Sequence, residues 1–246
     1  MDSQRQHFVI LSLPRTGSTY LVDYLDAVPG VKCLSEVFNP DVVLLRHHQP
    51  SDATLANKDL RDNDPLGFLQ RLEQDVGTCD IFGVKLFPSH GLKLLHYFCS
   101  SAQWKKIFLW RDNLLEQYVS FLLASARYGL ASWERVDDDA RLTVPTGTLV
   151  DDLHAMEKSY IEIEDALVLA KPADVFTLEY DEMGRPNVME RLLRFIGVEA
   201  AAAQSLAAAQ SGAGAFDRGP RAADRIANYG DVRAVLQQTR FARLVT

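Results

Sequence analysis

Four short apolar runs, at 8–13, 81–87, 107–110 and 175–178, constrain this chain more than any other feature. None alternates apolar with polar residues, so each calls for cover on both faces, as in a parallel sheet sandwiched by helices. The segments between them carry helical period. Leu21, Tyr24, Leu25 and Val28 fall at i, i+3, i+4 and i+7 before Pro29-Gly30. Leu115, Tyr118, Val119 and Leu122 repeat that spacing, and Leu153, Met156, Tyr160, Ile163 and Leu167 stripe a longer helix over about 150–170. Met189, Leu192, Leu193 and Ile196 mark another, ended by Gly197. Strands alternating with helices imply right-handed βαβ units and an α/β class.

The 246 residues suffice for one domain with a full core, expected to run over 1–246. With 47% hydrophobic and 24% charged residues, collagen-like, coiled-coil and largely disordered readings fall away. A formal charge of −7 argues against a nucleic-acid-binding surface, while leaving room for a local basic pocket. Cys33, Cys79 and Cys99 are odd in number, widely spaced and without a CxxC pair. They fit buried thiols in a reducing, cytoplasmic setting better than a disulfide framework or a zinc site. No apolar run approaches the ~20 residues of a membrane-spanning helix, and Arg15 interrupts the first run too soon for a signal peptide. Two polar stretches, 47–64 and 133–145, read as irregular. The Ala-rich 199–215 reads as a helix fraying into a flexible Gly-containing loop.

The sharpest chemical signal is Pro14-Arg15-Thr16-Gly17-Ser18-Thr19, between the first strand and the first helix. Such a turn points free backbone N–H groups at one spot, at the positive end of the helix dipole. Gly17 permits close approach, Ser18 and Thr19 add hydroxyls, and Arg15 adds a fixed charge. Together they make an anion cradle for a phosphate-like group. A capped tight turn would need neither Arg15 nor so many donors. The Walker A pattern GxxxxGK[ST], with its lysine before the Ser/Thr, is absent. A second signal is Phe108-Leu109-Trp110-Arg111-Asp112-Asn113, with Ser120 on the helix that follows. Arg111 ends a strand, where α/β proteins place ligand contacts. Taken alone, this pair suits a surface arginine and a serine packed on its own helix equally well.

With both segments in view, the sequence resembles the sulfotransferases that use 3′-phosphoadenosine 5′-phosphosulfate (PAPS), most nearly the bacterial carbohydrate branch of the trehalose and Nod-factor type. PRTGSTYL and FLWRDNLLEQYVS resemble that family's two nucleotide-binding segments. Phe82-Gly83-Val84-Lys85-Leu86 resembles its central strand. Phe195-Ile196-Gly197-Val198 and Arg225-Ile226-Ala227-Asn228-Tyr229 resemble later segments, so the likeness spans about 8–229 with unmatched stretches between. The resemblance implies a P-loop-like three-layer fold, a central parallel sheet flanked by helices, with PAPS as co-substrate and no metal. It puts Arg15, Thr16, Gly17, Ser18, Thr19 and Tyr20 at the 5′-phosphosulfate, and Arg111 with Ser120 at the 3′-phosphate. Arg15 stands where many cytosolic members carry Lys, and their C-terminal RKG loop is not evident. Arg218 and Arg221, around Gly219-Pro220, are the nearest basic candidates for it.

Transfer to an alcohol needs a base for the hydroxyl proton. Glu36, in Leu34-Ser35-Glu36-Val37-Phe38, resembles the position of the carboxylate base proposed for the trehalose-type enzymes. His90, after Lys85-Leu86-Phe87-Pro88-Ser89, resembles the Lys-x-His segment of other sulfotransferases. Both stay open, with Glu36 preferred. Arg15 and the turn N–H groups, assisted by Lys85, are placed to stabilise charge on the leaving oxygen. His47-His48 read as a solvated loop, and His7, His96 and His154 carry no motif. The expected acceptor is a carbohydrate or another small molecule. Two rival readings are a P-loop phosphotransferase, which would need Mg²⁺ and a nucleoside triphosphate, and a nucleotide-binding interaction module without turnover.

Overall fold

The computed structural model describes residues 5–46, 49–50, 57–128, 141–210, 216 and 220–245. The chain runs β1 (Gln6–Leu11), α1 (Ser18–Asp26), β2 (Val31–Leu34), β3 (Leu44–Arg46), β4 (Gln49–Pro50), α2 (Lys58–Asn63) and α3 (Pro65–Asp75). It continues through β5 (Ile81–Leu86), α4 (Leu92–Ser100), β6 (Trp104–Trp110), α5 (Leu114–Tyr128), α6 (Leu149–Leu167) and β7 (Val175–Glu179). Helices α7 (Pro186–Ile196), α8 (Ala200–Gln210), α9 (Ala222–Arg225) and α10 (Tyr229–Leu236) complete it. Five strands form one sheet in the order β2-β5-β1-β6-β7, and every pairing in it is parallel. This is the α/β architecture that the apolar runs call for.

The runs are continuous because helices cover both faces of the sheet. Val9 and Leu11 of β1 join a core with residues of α3, α4, α5 and α6. Phe8 and Ile10 turn to the opposite face, against α1, α7 and α8. All four are fully buried. Gly83 pairs with Phe8 in register, and a Cβ there would overlap the Phe8 ring, so only glycine lets that ring lie flat on β5. Gly197 ends α7 at φ 112°, a conformation that glycine adopts without a side-chain clash.

Three local readings change. The edge strand β2 escapes the sequence because it is four residues long and interrupted by the polar Lys32. Helix α4 was unmarked. The stretch 47–64 is not wholly irregular: α2 lies within it, started by Asn57, whose side chain accepts the Leu60 N–H at 3.0 Å. Residues 47–48, 51–56, 129–140 and 211–215 lie outside the described residues, including His47, His48 and most of the 133–145 stretch. Cys33 and Cys99 are buried, whereas Cys79 is only half-buried. Among the described residues, no helix is long and apolar enough to cross a membrane.

Candidate active site

Four neighbouring strands deliver their C-terminal ends to one rim. β2 leads into Glu36, β5 carries Lys85 and leads to His90, β1 leads to Arg15, and β6 leads to Arg111. Ligand sites of parallel α/β sheets form at this end. A cavity of about 370 Å³ opens there, lined by Arg15, Ser18, Thr19, Glu36, Asn39, Lys85 and His90 among others.

The turn after β1 has the form of a cradle. Gly17 sits at φ 76° as the N-cap of α1 and supplies no side-chain cap, so first-turn N–H groups lack an intrahelical acceptor. A Cβ on Gly17 would collide with the Met183 methyl and crowd the Phe216 ring. Arg15 holds φ 65°, the only positive φ among the described non-glycine residues. For a residue with a Cβ that conformation is strained. The Thr16 hydroxyl is committed internally, donating to the Leu13 carbonyl at 2.9 Å.

Two residues that are 105 positions apart in sequence meet across this turn: Arg15 Nε donates to Ser120 Oγ at 3.0 Å. A buried relay makes a second link. Gln117 Nε2 donates to the Pro14 carbonyl at 2.7 Å, Tyr160 OH donates to Gln117 Oε1 at 2.8 Å, and the Arg111 N–H donates to Tyr160 OH at 3.1 Å. Gln117 is fully buried, and burial raises the Tyr160 phenol, keeping it a neutral donor. The loops after β1 and β6 are thereby fixed to one another.

Positive charge gathers at the junction. Burial lowers the Arg15 pKa, and the charges of Arg111 and Arg225 lower it further, against the opposing influence of Tyr180. Arg111 stacks on the Tyr180 ring with its guanidinium carbon 4.0 Å from the centroid, and its Nη2 donates to Glu116 at 2.6 Å. Its buried Nε has no hydrogen-bond partner among the described residues. A buried donor without an acceptor is costly, and an incoming anion would satisfy it.

On the other side of Arg15, Glu36 is almost fully buried. Its Oε1 lies 3.0 Å from Lys85 Nζ, and Oε2 accepts from Asn39 Nδ2 at 2.8 Å. His90 Nε2 stands 3.7 Å from Oε2, a contact longer than a hydrogen bond. Burial pushes the Glu36 pKa up, but His90, Lys85 and Asn39 outweigh it and hold the carboxyl at about 2. Burial lowers both Lys85 and His90 against the pull of Glu36. His90 Nδ1 accepts the Phe87 N–H at 3.3 Å, so the neutral ring carries its proton on Nε2, facing Glu36. In that tautomer His90 has no lone pair to offer at the cavity. α2 secures the arrangement from behind: buried Arg61 donates Nη1 to the Asn39 carbonyl and Nη2 to the Pro40 carbonyl, the latter at 3.1 Å.

The structure thus brings Arg15, Ser18, Thr19, Glu36, Lys85 and His90 to one cavity, with Ser120 bonded to Arg15. Arg111 lies beyond Arg15, on the Tyr180 side. Tyr20 turns away, its ring 4.9 Å from Phe216 and 6.1 Å from Tyr24. Arg221 is exposed at the start of α9, and Arg218 lies outside the described residues. Arg225, one turn after Arg221, is the C-terminal arginine whose charge reaches Arg15. Its signal was the Arg225–Tyr229 segment. Gln117, Asn39 and Tyr160 were missed as site residues, Tyr160 because its stripe reads as plain core. Among the described residues, no group of three or more His, Cys, Asp or Glu side chains is placed to hold a metal ion.

No protein-family model matches the chain, and no curated protein matches its sequence. Solved structures are similar in fold. The sulfotransferase domain from the curacin biosynthetic pathway is 13% identical, with a TM-score of 0.50, covering 96% of this chain and 98% of that one. Mouse sulfotransferase SULT7A1, complexed with PAP, is 14% identical with a TM-score of 0.42. That alignment covers 84% of this chain, which spans only 66% of the mouse chain. The likeness to the curacin-pathway domain speaks to the fold.

The buried Glu36–Lys85 pair generates a stability expectation. Glu36→Gln leaves a buried ammonium without its counter-charge, and a loss of about 3–5 kcal/mol is expected from denaturant unfolding at pH 7. The double variant Glu36→Gln/Lys85→Met should recover most of it. Because the folded carboxyl titrates below its ordinary 4.5, the Glu36 contribution is complete above that range and fades as pH falls towards about 2. Equal losses in the single and double variants would contradict the pairing.

Proposed function

We propose that this chain transfers a sulfuryl group from 3′-phosphoadenosine 5′-phosphosulfate to the hydroxyl of a small molecule. The observation that carries the reading is the Arg15–Ser120 contact, because it joins the two segments that resemble nucleotide-binding segments into one cationic locus. The likeness in fold to a sulfotransferase domain supports it. The reading takes 1–246 as one domain, since both core faces share one sheet, and a cytoplasmic setting, since Cys33 and Cys99 are buried free thiols. Carbohydrate as the acceptor rests on the resemblance alone.

In this reading Arg15, Gly17, Ser18, Thr19 and the first-turn N–H groups of α1 hold the 5′-phosphosulfate. Arg111, through its unpartnered Nε, takes the 3′-phosphate with Ser120 and Arg225. Glu36 takes the acceptor proton as the alcohol oxygen bonds to sulfur. The bond from sulfur to the phosphate oxygen breaks, and its electron pair leaves on that oxygen, beside Arg15 and Lys85. Lys85 serves both partners. In the free protein His90, Lys85 and Asn39 together hold Glu36 near 2, a weak base. An anion that draws on the Lys85 charge returns basicity to Glu36, so the base strengthens when the donor is bound. The His90 proton faces Glu36, which suits it to orienting the carboxylate rather than replacing it.

A P-loop phosphotransferase lacks the Walker lysine here. Thermal-shift titration separates the two readings: adenosine 3′,5′-bisphosphate should raise Tm without Mg²⁺, whereas stabilisation only by ATP with Mg²⁺ would favour phosphoryl transfer. Arg15→Gly should abolish the shift while changing the unliganded Tm little, because relief of a strained φ and a like charge offsets the lost Ser120 hydrogen bond. Transfer from labelled donor to an alcohol panel separates catalysis from a silent binding module. Assayed below its own Tm, Glu36→Gln should lower kcat by about 10²–10⁴ with nucleotide binding retained. A near-normal kcat would remove Glu36 from the role of base.

A further inference from the structure

We infer that the acceptor carries an apolar alkyl or aryl body next to its reacting hydroxyl, seated in a second cavity adjoining the candidate active site. This inference rests on the sulfuryl-transfer reading and deepens it to a substrate class. The second cavity, about 330 Å³, lies between the loops after β1 and β5 and the helices α5 and α6. It shares Pro14, Phe87, Ser89 and Phe121 with the cavity that holds Glu36. The body of an acceptor whose hydroxyl lies at Glu36 therefore has this neighbouring space beside it.

The walls select against a sugar. Leu13, Pro88, Tyr118 and Met156 add to the shared Phe87 and Phe121, so most of the surface is apolar. The polar groups present are largely engaged. Gln117 bonds Pro14 and Tyr160, Ser159 donates to the Ala155 carbonyl at 3.1 Å, and Asp152 Oδ2 accepts from Tyr118 at 2.6 Å and Thr148 at 2.9 Å. A polyol buried here would surrender water hydrogen bonds without replacement. Nor does the space suit the nucleotide: among the described residues no Lys, Arg or His lines it, and the one charged residue, Asp152, is anionic.

Phe121 adds an independent observation. It stands on the wall common to both cavities and is 37% exposed, a large apolar side chain left in water at the mouth of a site. An alkyl or aryl group passing from one cavity to the other would cover it.

The test is isothermal titration of straight-chain primary alcohols, from propanol to octanol, into protein saturated with adenosine 3′,5′-bisphosphate, with trehalose as the polar comparison. Kd should tighten by about fourfold per added methylene until the cavity is filled, the ratio expected for burying each CH₂. Ala155→Trp, at an exposed helix position on the cavity rim, should flatten that series while leaving the Tm shift with the bisphosphate unchanged. A flat series in the unaltered protein, or trehalose binding more tightly than octanol, would overturn the inference while nucleotide binding persists. Absence of any bisphosphate shift would instead remove the sulfuryl-transfer reading beneath it.

Discussion

Everything at this rim depends on β1 lying between β5 and β6 in parallel register. Leu11, the last residue of β1, pairs with Leu86 on one side and Phe108 on the other. The loops after β1 and β5 therefore leave the sheet at the same height, and β6 runs two residues further beside them before its own loop begins. Residues from 15 to 120 in the sequence become neighbours through that geometry alone. The relay from Pro14 through Gln117 and Tyr160 to Arg111 then locks the β1 and β6 loops in one arrangement, and it is fully hydrogen-bonded where burial makes an unmet donor expensive. The side chains of the candidate site thus stand at or just beyond strand ends and at a helix start, which favours precise placement.

The same rim is poorly stabilised in its own right. Arg15 adopts a strained backbone angle, suffers desolvation and faces two further arginines, while Arg111 buries an unmet donor. Natural folds tolerate such local conflicts chiefly at functional sites, where a ligand resolves them. A bound anion would relieve the like-charge repulsion and the unmet donor at once. The Glu36 cluster behaves differently: its charges are paired, and its carboxylate is held ionised by neighbours that also face the cavity. The site therefore divides into a half where Arg15, Arg111 and Arg225 gather and a half that keeps a carboxylate in reserve, with Arg15 on the boundary.

Much of this was legible in the sequence because its cause is local. Unbroken apolar runs at 81–87 and 107–110 have to be buried on both faces, and the turn at 14–19 has to adopt unusual backbone angles between a strand and a helix. Gly197 has to end α7. The remainder arises from long-range packing. Tyr160 has the spacing of an ordinary core residue, and only the fold turns its hydroxyl towards Gln117. Asn39 and Arg61 are unremarkable in a polar stretch, yet they brace Glu36 from behind. Arg221 and Arg225 stand one helical turn apart, and only the fold makes Arg225 the one whose charge reaches Arg15. The tautomer of His90 likewise depends on one backbone N–H, that of Phe87, occupying the imidazole nitrogen.

The central claim is that one nucleotide is gripped at both of its anionic ends by the joined loops. Calorimetric comparison of adenosine 3′,5′-bisphosphate with adenosine 5′-monophosphate and adenosine 3′-monophosphate tests it most directly. The account requires the bisphosphate to bind at least about tenfold more tightly than either monophosphate, since each lost phosphate forfeits charge-assisted hydrogen bonds to a different arginine. Equal affinity for the bisphosphate and for either monophosphate would contradict it.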